Sequence, residues 1–414
     1  MPSNYKLEFI LKQHTPIIHF QYEQNGATLR ATELKPKLDR FLLEKAPDLP
    51  KRKHPNGSVS LDYKVKISTN EYNQEPVEYL KKTWKKTRKR PTSVTLPTFF
   101  ANMGDDWKKH PKKIVYTKGF IYITITSFHS ELLEKIKEVF EEFIFIHTFG
   151  TRQSKGFGSF TLEAINGKKI EKKEFGDYAF EVHVHKDQLN MDFVSPPTPY
   201  FIKMYQLFEA IHRFHQVLRS GINERGTYTK PFIFYYAQNH KITWDKKTFK
   251  EVFVNHEEKQ NSYLIRDLLG LSTEQYWRSY KFTVRHPKEQ KKGKLDKFEG
   301  KVIEPNEIKR FKTPFTYKPV QIDANRYKVY IVLHKINKKL FEKNFTILKE
   351  QDKEVKAILE DMQMWNDFSL EKFFAEEVYQ NKNVLPTRIR IKGHNQNLKK
   401  LVTDIYASLQ KVSS

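Results

Sequence analysis

Nine consecutive residues, numbers 150–158, concentrate side chains that could contact a nucleic acid. They read GTRQSKGFG and hold three of only 15 glycines in the 414-residue chain. Glycine permits positive φ and has no Cβ to keep a second chain away from the backbone. The residues between the glycines supply charge, hydroxyl groups and an amide, which suit phosphates and ribose 2′-hydroxyls. The predicted RNA-contacting residues here are Gly150, Thr151, Arg152, Gln153, Ser154, Lys155, Gly156 and Gly158.

Two other kinds of glycine-rich phosphate loop do not fit this run. A dinucleotide loop and a P-loop each need a strand before the loop and a helix after it, and the spacing is neither GxGxxG nor GxxxxGK[ST]. Here the hydrophobic pattern predicts a helix before Gly150 and a strand from Phe157. A glycine that ends a helix would explain Gly150, but not the two glycines that follow.

A second concentration of charge lies at 81–90, where KKTWKKTRKR has seven basic residues in ten. Aromatic rings among lysines and arginines provide both base stacking and phosphate contacts, and Trp84, Phe99, Phe100 and Trp107 lie in or just after this run. A solvated loop that only aids solubility is the alternative. The predicted RNA-binding residues are Lys81, Lys82, Trp84, Lys85, Lys86, Arg88, Lys89 and Arg90.

Catalysis would need different residues. Histidine suits general acid–base cleavage of RNA because its ordinary pKa is about 6.5, and His14 and His19 lie nearest the first predicted strand. Five residues apart on a strand, they face opposite sides. Asp105 and Asp106 could hold a metal ion, but beside Gly104 they are better explained as a solvated turn. We predict no metal site and no cofactor, and keep both histidines as candidate catalytic residues.

The composition favours a polyanionic partner. Lys and Arg total 74 against 49 Asp and Glu, a formal net charge of +25, and such a field attracts nucleic acids. Aromatic residues make up 14% of the chain, too many for a disordered tail. The absence of cysteine excludes disulfides, thiolate metal sites and a cysteine nucleophile. Without an apolar run of ~20 residues or a secretory signal pattern, we expect a cytoplasmic protein that contacts no membrane.

The elements that must position these residues follow a β-α-β-β-α-β order, which predicts an α+β, ferredoxin-like (RRM-like) module. Apolar stripes beginning at Leu34 and Leu132 predict its two helices. FIYITI, at Phe120–Ile125, is apolar or β-prone throughout and predicts a strand that is buried on both faces or lies in the centre of the sheet. The module spans 1–170, and the basic arm at 71–113 is inserted in it. The four predicted strands are Tyr5–Leu11, Val59–Ile67, Phe120–Ile125 and Phe157–Ile165.

Residues 171–414 predict a second ferredoxin-like module, decorated with extra helices. It opens with alternation from Tyr178 to Val184 and a long helix at Pro199–Arg219. We also predict a strand at Phe232–Ala237, an acidic helix at Lys349–Met362 and a strand at Thr387–Lys392.

The glycine-rich run resembles that of the RAMP superfamily of CRISPR-associated proteins, which carry one or two ferredoxin-like modules. In that superfamily a loop of glycines and basic residues, ending in GFGS, joins the second helix to the fourth strand, as at 150–159 here. HTPIIHFQ at 14–21, LRATELKPKLDRFL at 29–42 and RFKTPFTYKPV at 310–320 are also similar to superfamily elements. The chain looks most like the first Cmr subunit of type III-B effector complexes.

This resemblance implies a non-catalytic RNA-binding subunit of a CRISPR type III effector complex in antiviral defence. Its partners would be guide RNA (crRNA), target RNA and the other subunits of the complex. RAMP subunits that cut target RNA carry an Asp after the first strand, whereas the matching residues 21–31 have Glu23 and no Asp. Two alternatives stay open: a metal-independent endoribonuclease that processes guide RNA, and a general RNA-binding protein unrelated to CRISPR.

Overall fold

The computed structural model describes residues 5–19, 28–53, 57, 59–82, 92–97, 113–186, 189, 191–224, 227–258, 263–271, 274–277, 281–285, 311–352, 354–389 and 396–412. The fold is mixed α+β, with several small sheets. The strands are β1 Lys6–Gln13, β2 Lys51–Lys53, β3 Val59–Leu61, β4 Lys64–Thr69, β5 Asn73–Pro76, β6 Glu78–Lys81, β7 Thr92–Thr95, β8 Lys113–Tyr116, β9 Phe120–Thr126, β10 Phe160–Ile165, β11 Lys168–Lys169, β12 Tyr178–His183, β13 Ile222–Glu224, β14 Thr227–Thr229, β15 Tyr263–Leu264, β16 Glu274–Trp277, β17 Phe282–Arg285, β18 Phe315–Gln321, β19 Arg326–Leu333, β20 Asn344–Gln351, β21 Glu354–Met364 and β22 Gln410–Lys411.

The α-helices are α1 Ala31–Lys45, α2 Ser130–Ile146, α3 Pro199–Arg219, α4 Phe232–Asn239, α5 Asp245–Phe253, α6 Leu370–Lys372, α7 Leu385–Arg388 and α8 Gln396–Ala407. A π-helical segment, Phe373–Tyr379, continues α6, and short 3-10 helices lie at Gln153–Lys155, Arg266–Leu269 and Lys338–Leu340. None of the helices in the described part of the chain combines the length and apolar character needed to cross a bilayer.

The chain divides into two compact units. The first comprises residues 1–212, 316–332 and 408–414, and the second comprises 213–315 and 333–407. The first unit holds a five-stranded sheet in the order β11-β10-β1-β9-β4 and a four-stranded sheet in the order β18-β19-β12-β22. The pairing is antiparallel between neighbouring strands throughout the five-stranded sheet, and β12 pairs antiparallel with both β19 and β22. The two ferredoxin-like modules predicted to meet near residue 170 are not the same as these two compact units, and that boundary stays a prediction.

The five-stranded sheet buries one face under α1 and α2. Alternate residues of β1 and β9 point into a shared core with the predicted helix stripes, and the rings of Phe9 and Phe140 stack at 3.9 Å. Burial of such a face is what stabilises a helix on a sheet, since propensity contributes little. Three of the four strands predicted for this module lie in the sheet with shifted ends, whereas only the second half of Val59–Ile67 does so, because β3 pairs with β2 in a separate two-stranded sheet.

The predicted strand Val59–Ile67 is interrupted, because β3 ends at Leu61 and β4 begins at Lys64. Helix α1 stabilises the chain where the strand is interrupted. The Lys35 ammonium donates to the Leu61 carbonyl at 2.9 Å and to the Asp39 carboxylate. Val59, which shares the apolar face of the residues that alternate between apolar and polar from Val59 to Ile67, is 53% exposed. The alternation continues through the break, so the sequence pattern did not reveal it.

The inserted arm begins as paired strands. β5 pairs with β8 and β6 pairs with β7, in both cases antiparallel. Residues 83–91 and 98–112 lie outside the described residues. The arm therefore leaves the sheet through a double-stranded base.

In the second unit, β15, β21, β20, β17 and β16 form a sheet in that order. Two predictions for this part of the chain were wrong. Phe232–Ala237 is helical in α4, whose buried residues fall at helical spacing, because a short apolar run does not distinguish a helix from a strand. Lys349–Met362 lies mostly in the β20–β21 hairpin. Of the predicted strand Thr387–Lys392, Thr387 and Arg388 end α7, and residues 390–392 lie outside the described residues.

Candidate nucleic-acid interface

The glycine-rich loop leaves the C-terminal end of α2 and leads into β10, as the sequence predicted. Arg152 takes a left-handed conformation with φ 57°, and a 3-10 turn from Gln153 to Lys155 ends at Gly156, with φ 92°. The Lys155 amide donates to the Arg152 carbonyl at 2.9 Å. This turn presents four consecutive polar residues, 152–155, at the surface, each of them half-buried.

The three glycines of the loop are required by the chain's own packing. All three have positive φ, where a side chain is strained. A Cβ at Gly158 would overlap the Phe149 carbonyl oxygen, and one at Gly150 would lie 2.5 Å from Cγ1 of Ile17. At Gly156 it would lie 3.0 Å from Cγ of Pro319. Each glycine thus has an intramolecular reason that does not involve RNA.

A segment just after β1, residues 14–18, clamps the loop. The Thr151 amide donates to the Ile18 carbonyl at 2.8 Å, and the Gly158 amide donates to the Pro16 carbonyl at 2.9 Å. The Thr15 hydroxyl donates to the Gly156 carbonyl at 2.7 Å. Both ends of the loop are therefore fixed, and its outer turn is held in one place.

The motif RFKTPFTYKPV at 310–320, whose last residues lie in β18, contacts the loop and the end of α2 from a different side than residues 14–18. The Ser159 hydroxyl donates to the Pro319 carbonyl at 2.6 Å. The Lys318 ammonium, fully buried, donates to the carbonyls of Ile144 and His147 at 2.7 and 2.9 Å, and so caps the C-terminal end of α2. Residues 14–18, 150–158 and 318–319, far apart in sequence, meet at one place in the first unit.

Burial, and secondarily the charge of Lys37, holds the pKa of Lys318 well below its usual range. Lys37 lies above the same helix end, where its ammonium donates to the Thr148 carbonyl and to Oε1 of Gln153, both at 2.7 Å. Gln153 returns a hydrogen bond to the Gly150 carbonyl at 2.8 Å. The loop is thus supported by two lysines from outside the predicted site.

Thr151 differs from the other polar residues of the loop because it is 8% exposed. Among the described residues its hydroxyl has no hydrogen-bond partner. A buried hydroxyl without a partner costs free energy in the unbound protein. Because the hydroxyl oxygen itself is buried, a ligand on the surface of the loop does not reach it in this conformation.

His14 lies beneath the loop and is almost fully buried. Its Nδ1 accepts from the Gln321 amide at 3.1 Å, so its Nε2 carries the proton and donates to the Thr161 hydroxyl at 2.8 Å. Burial, and then the charge of Lys318, holds the pKa of His14 well below its ordinary value. A neutral ring with both nitrogens engaged suits a structural role. His19 is also buried, with Nδ1 3.5 Å from Oε1 of Glu33.

Two of the predicted arm residues are described. Lys81, at the end of β6, forms a bridge with Phe193, and the Lys82 amide donates to the Asp192 carbonyl at 2.7 Å. Trp84, Lys85, Lys86, Arg88, Lys89 and Arg90 lie outside the described residues, as do Asp105 and Asp106. No group of His, Asp and Glu residues within the described ranges could hold a metal ion.

Of the two alternatives predicted for Phe120–Ile125, a place inside the sheet is correct, because β9 pairs with β1 and β4, whereas burial on both faces is wrong. Ile121, Ile123 and Ile125 are buried in the core, whereas Phe120 and Tyr122 are 45% and 38% exposed on the other face. The signal was present, because the isoleucines alternate with the aromatic residues along β9. Because nearly every residue of Phe120–Ile125 is apolar or aromatic, the alternation of buried and exposed side chains was not apparent from the sequence.

The comparisons with known proteins agree with this arrangement. The family model of the Cmr1 N-terminal domain matches residues 4–222, and that of the Cmr1 C-terminal domain matches residues 228–400.

The chain belongs to the Cmr1 family of type III-B CRISPR-associated proteins.

Membership of the Cmr1 family makes this chain a subunit of a multi-subunit CRISPR type III effector complex. The N-terminal match contains the loop, its clamp at 14–18 and the whole five-stranded sheet. A search of curated proteins gave no match. The resemblance noted in the sequence is confirmed at the level of the family.

Proposed function

We propose that this Cmr1-family protein is a non-catalytic subunit that binds guide RNA, target RNA or both. The observation that carries the proposal is the rigid outer turn at 152–155, where Arg152 and Lys155 extend from a loop fixed at both ends. A preorganised basic turn binds phosphates at a lower entropic cost than a flexible one. The arm at 71–113, with Lys81 and Lys82 at its base, is the second proposed contact.

The charges of the loop also suit RNA in particular. Arg152 and Lys155 would contact phosphates, while Gln153 and Ser154 provide donors and acceptors for ribose 2′-hydroxyls. The overall charge of +25 would concentrate RNA near this surface. The role of the individual residues is part of the proposal, as is a cytoplasmic location.

The proposed architecture is two ferredoxin-like modules, divided near residue 170. For the first, the strand order β10-β1-β9-β4, with α1 after β1 and α2 after β9, supports the proposal. For the second, the antiparallel pairing of β12 with β19 provides weaker support.

The double variant Arg152→Ala/Lys155→Ala tests the proposal. We expect binding to a crRNA of the type III-B complex, measured by fluorescence anisotropy, to weaken about tenfold or more, because each charged contact contributes roughly 1 kcal/mol. The matched control is Lys135→Ala/Lys137→Ala, which removes the same charge from α2, where both lysines pair with neighbouring glutamates. If both double variants lose the same RNA affinity, the effect comes from overall charge, and the loop is not a specific RNA contact.

The same protein, incubated with repeat RNA in EDTA, tests whether it cuts RNA. We expect no cleavage, since His14 is buried and both its nitrogens are hydrogen bonded. Cleavage that is lost in His14→Gln or His19→Gln would overturn the non-catalytic proposal in favour of the endoribonuclease.

A further inference from the structure

The face of the five-stranded sheet opposite α1 and α2 carries two exposed aromatic rings on β9, an inner strand of the sheet. Phe120 and Tyr122 of β9 are 45% and 38% exposed. They lie two residues apart on the same face, about 7 Å along the strand. Rings at this spacing can each stack with a separate base. Exposing neighbouring aromatic rings to water is unfavourable in free energy, and exposed apolar patches of this kind mark sites that bind a ligand or partner.

The neighbours of Tyr122 are defined by the register of the sheet. Ile10 of β1 lies opposite it on one side, and Ser68 of β4 lies opposite it on the other. Lys12, opposite Phe120, and Lys66, opposite Thr124, are therefore its diagonal neighbours, within reach of a long side chain. Each aromatic ring has a lysine on an adjacent strand.

The charge of this face is positive because its acidic groups are already paired. Glu8 forms an ion pair with Lys6 at 2.6 Å, and Glu163 forms one with Lys172 at 2.7 Å. In the described part of the chain, no carboxylate pairs with Lys12, Lys64 or Lys66. Lys64 and Lys66 are exposed along β4. Rings flanked by uncompensated lysines match a single-stranded nucleic acid, which offers unpaired bases for stacking and phosphates for the lysines.

We propose that this open face binds single-stranded RNA, with bases stacked on Tyr122 and Phe120 and phosphates beside Lys12, Lys64 and Lys66. The proposal rests on the proposed RNA-binding function and adds a second, base-stacking surface to the glycine-rich loop. Double-stranded RNA would bind this face weakly, because its bases already stack on one another.

The test compares Phe120→Ala/Tyr122→Ala with the wild-type protein in binding a labelled oligoadenylate. We expect affinity to fall about thirtyfold or more, because each of the two lost base–aromatic stacks contributes at least about 1 kcal/mol. The single variant Tyr122→Phe keeps both rings and should bind the RNA as tightly as the wild-type protein. The matched control is Phe128→Ala, which removes a ring that is 89% exposed and lies beyond the end of β9 and outside the arm. Both positions are exposed, so melting temperatures should change little.

Cross-linking gives a readout that does not depend on affinity. Ultraviolet irradiation of the wild-type complex should attach RNA to the tryptic peptide 119–135, which contains both rings. Unchanged affinity in the folded double variant would overturn the proposal, and would leave protein contact as the use of this face. If that variant binds normally while Arg152→Ala/Lys155→Ala does not, only the sheet proposal fails. If the wild-type protein binds no RNA, the proposed function itself fails.

Discussion

The glycine-rich loop and the open sheet face show two different relations between sequence and ligand. In the loop, the conspicuous residues are glycines, and the fold itself requires them at Gly150, Gly156 and Gly158. On the sheet, Phe120 and Tyr122 are exposed although the fold gains little from their exposure. A residue that the fold does not need is the stronger evidence for a ligand. The glycines of the loop, which the fold needs, are therefore not by themselves evidence for RNA.

The largest expected effect is on stability, and it tests the structural side of this comparison. Gly158→Ala should lower the free energy of unfolding by more than about 2 kcal/mol, because it combines positive φ with overlap of the Phe149 carbonyl. Urea denaturation measures it. Gly167→Ala is the matched control, since Gly167 also has positive φ but nothing within 4 Å of its Cβ position. If both variants lose the same stability, packing does not explain Gly158.

The next effect concerns the buried lysine that supports the loop. The folded-state pKa of Lys318 is lowered, so between that value and about 10.5 the unfolded chain binds one more proton than the folded chain. Stability should therefore rise with pH in this window, by up to about 1.4 kcal/mol per pH unit. Lys318→Met should flatten the pH dependence of the unfolding free energy. Identical profiles for the two proteins would show that Lys318 is not desolvated.

The sequence predicted local features of the site better than its long-range contacts. The position of 150–158 between a helix and a strand followed from the apolar stripe at Leu132 and the strand-like residues after Gly158. The contacts of Gly150 with Ile17 and of Gly156 with Pro319 could not be predicted, because the partners are more than a hundred residues away. Without those contacts, the sequence offered the end of a helix as an explanation of Gly150, and only RNA binding as an explanation of Gly156 and Gly158.

Errors in the fold have a similar origin. At Phe232–Ala237 and Lys349–Met362, short apolar or charge-rich runs fit more than one period, and tertiary pairing decided between them. The alternation of Val355, Ala357 and Leu359 along β21 was the signal for a strand. Ile358 interrupts this alternation and so concealed it, just as the apolar character of Phe120–Ile125 concealed the open face of β9.

The smallest effect separates the two surfaces by their response to salt. Each phosphate contact on a single strand contributes about 0.7 to the slope of log K against log salt, because counterions are released. Arg152→Ala/Lys155→Ala should therefore reduce the magnitude of that slope by about 1.4 if both residues contact phosphates. Phe120→Ala/Tyr122→Ala should lower affinity at every salt concentration and leave the slope unchanged, since stacking releases no counterions. Anisotropy titrations of one single-stranded RNA over a series of potassium chloride concentrations measure both. Equal changes of slope in the two variants would contradict the division between a charged loop and a stacking sheet.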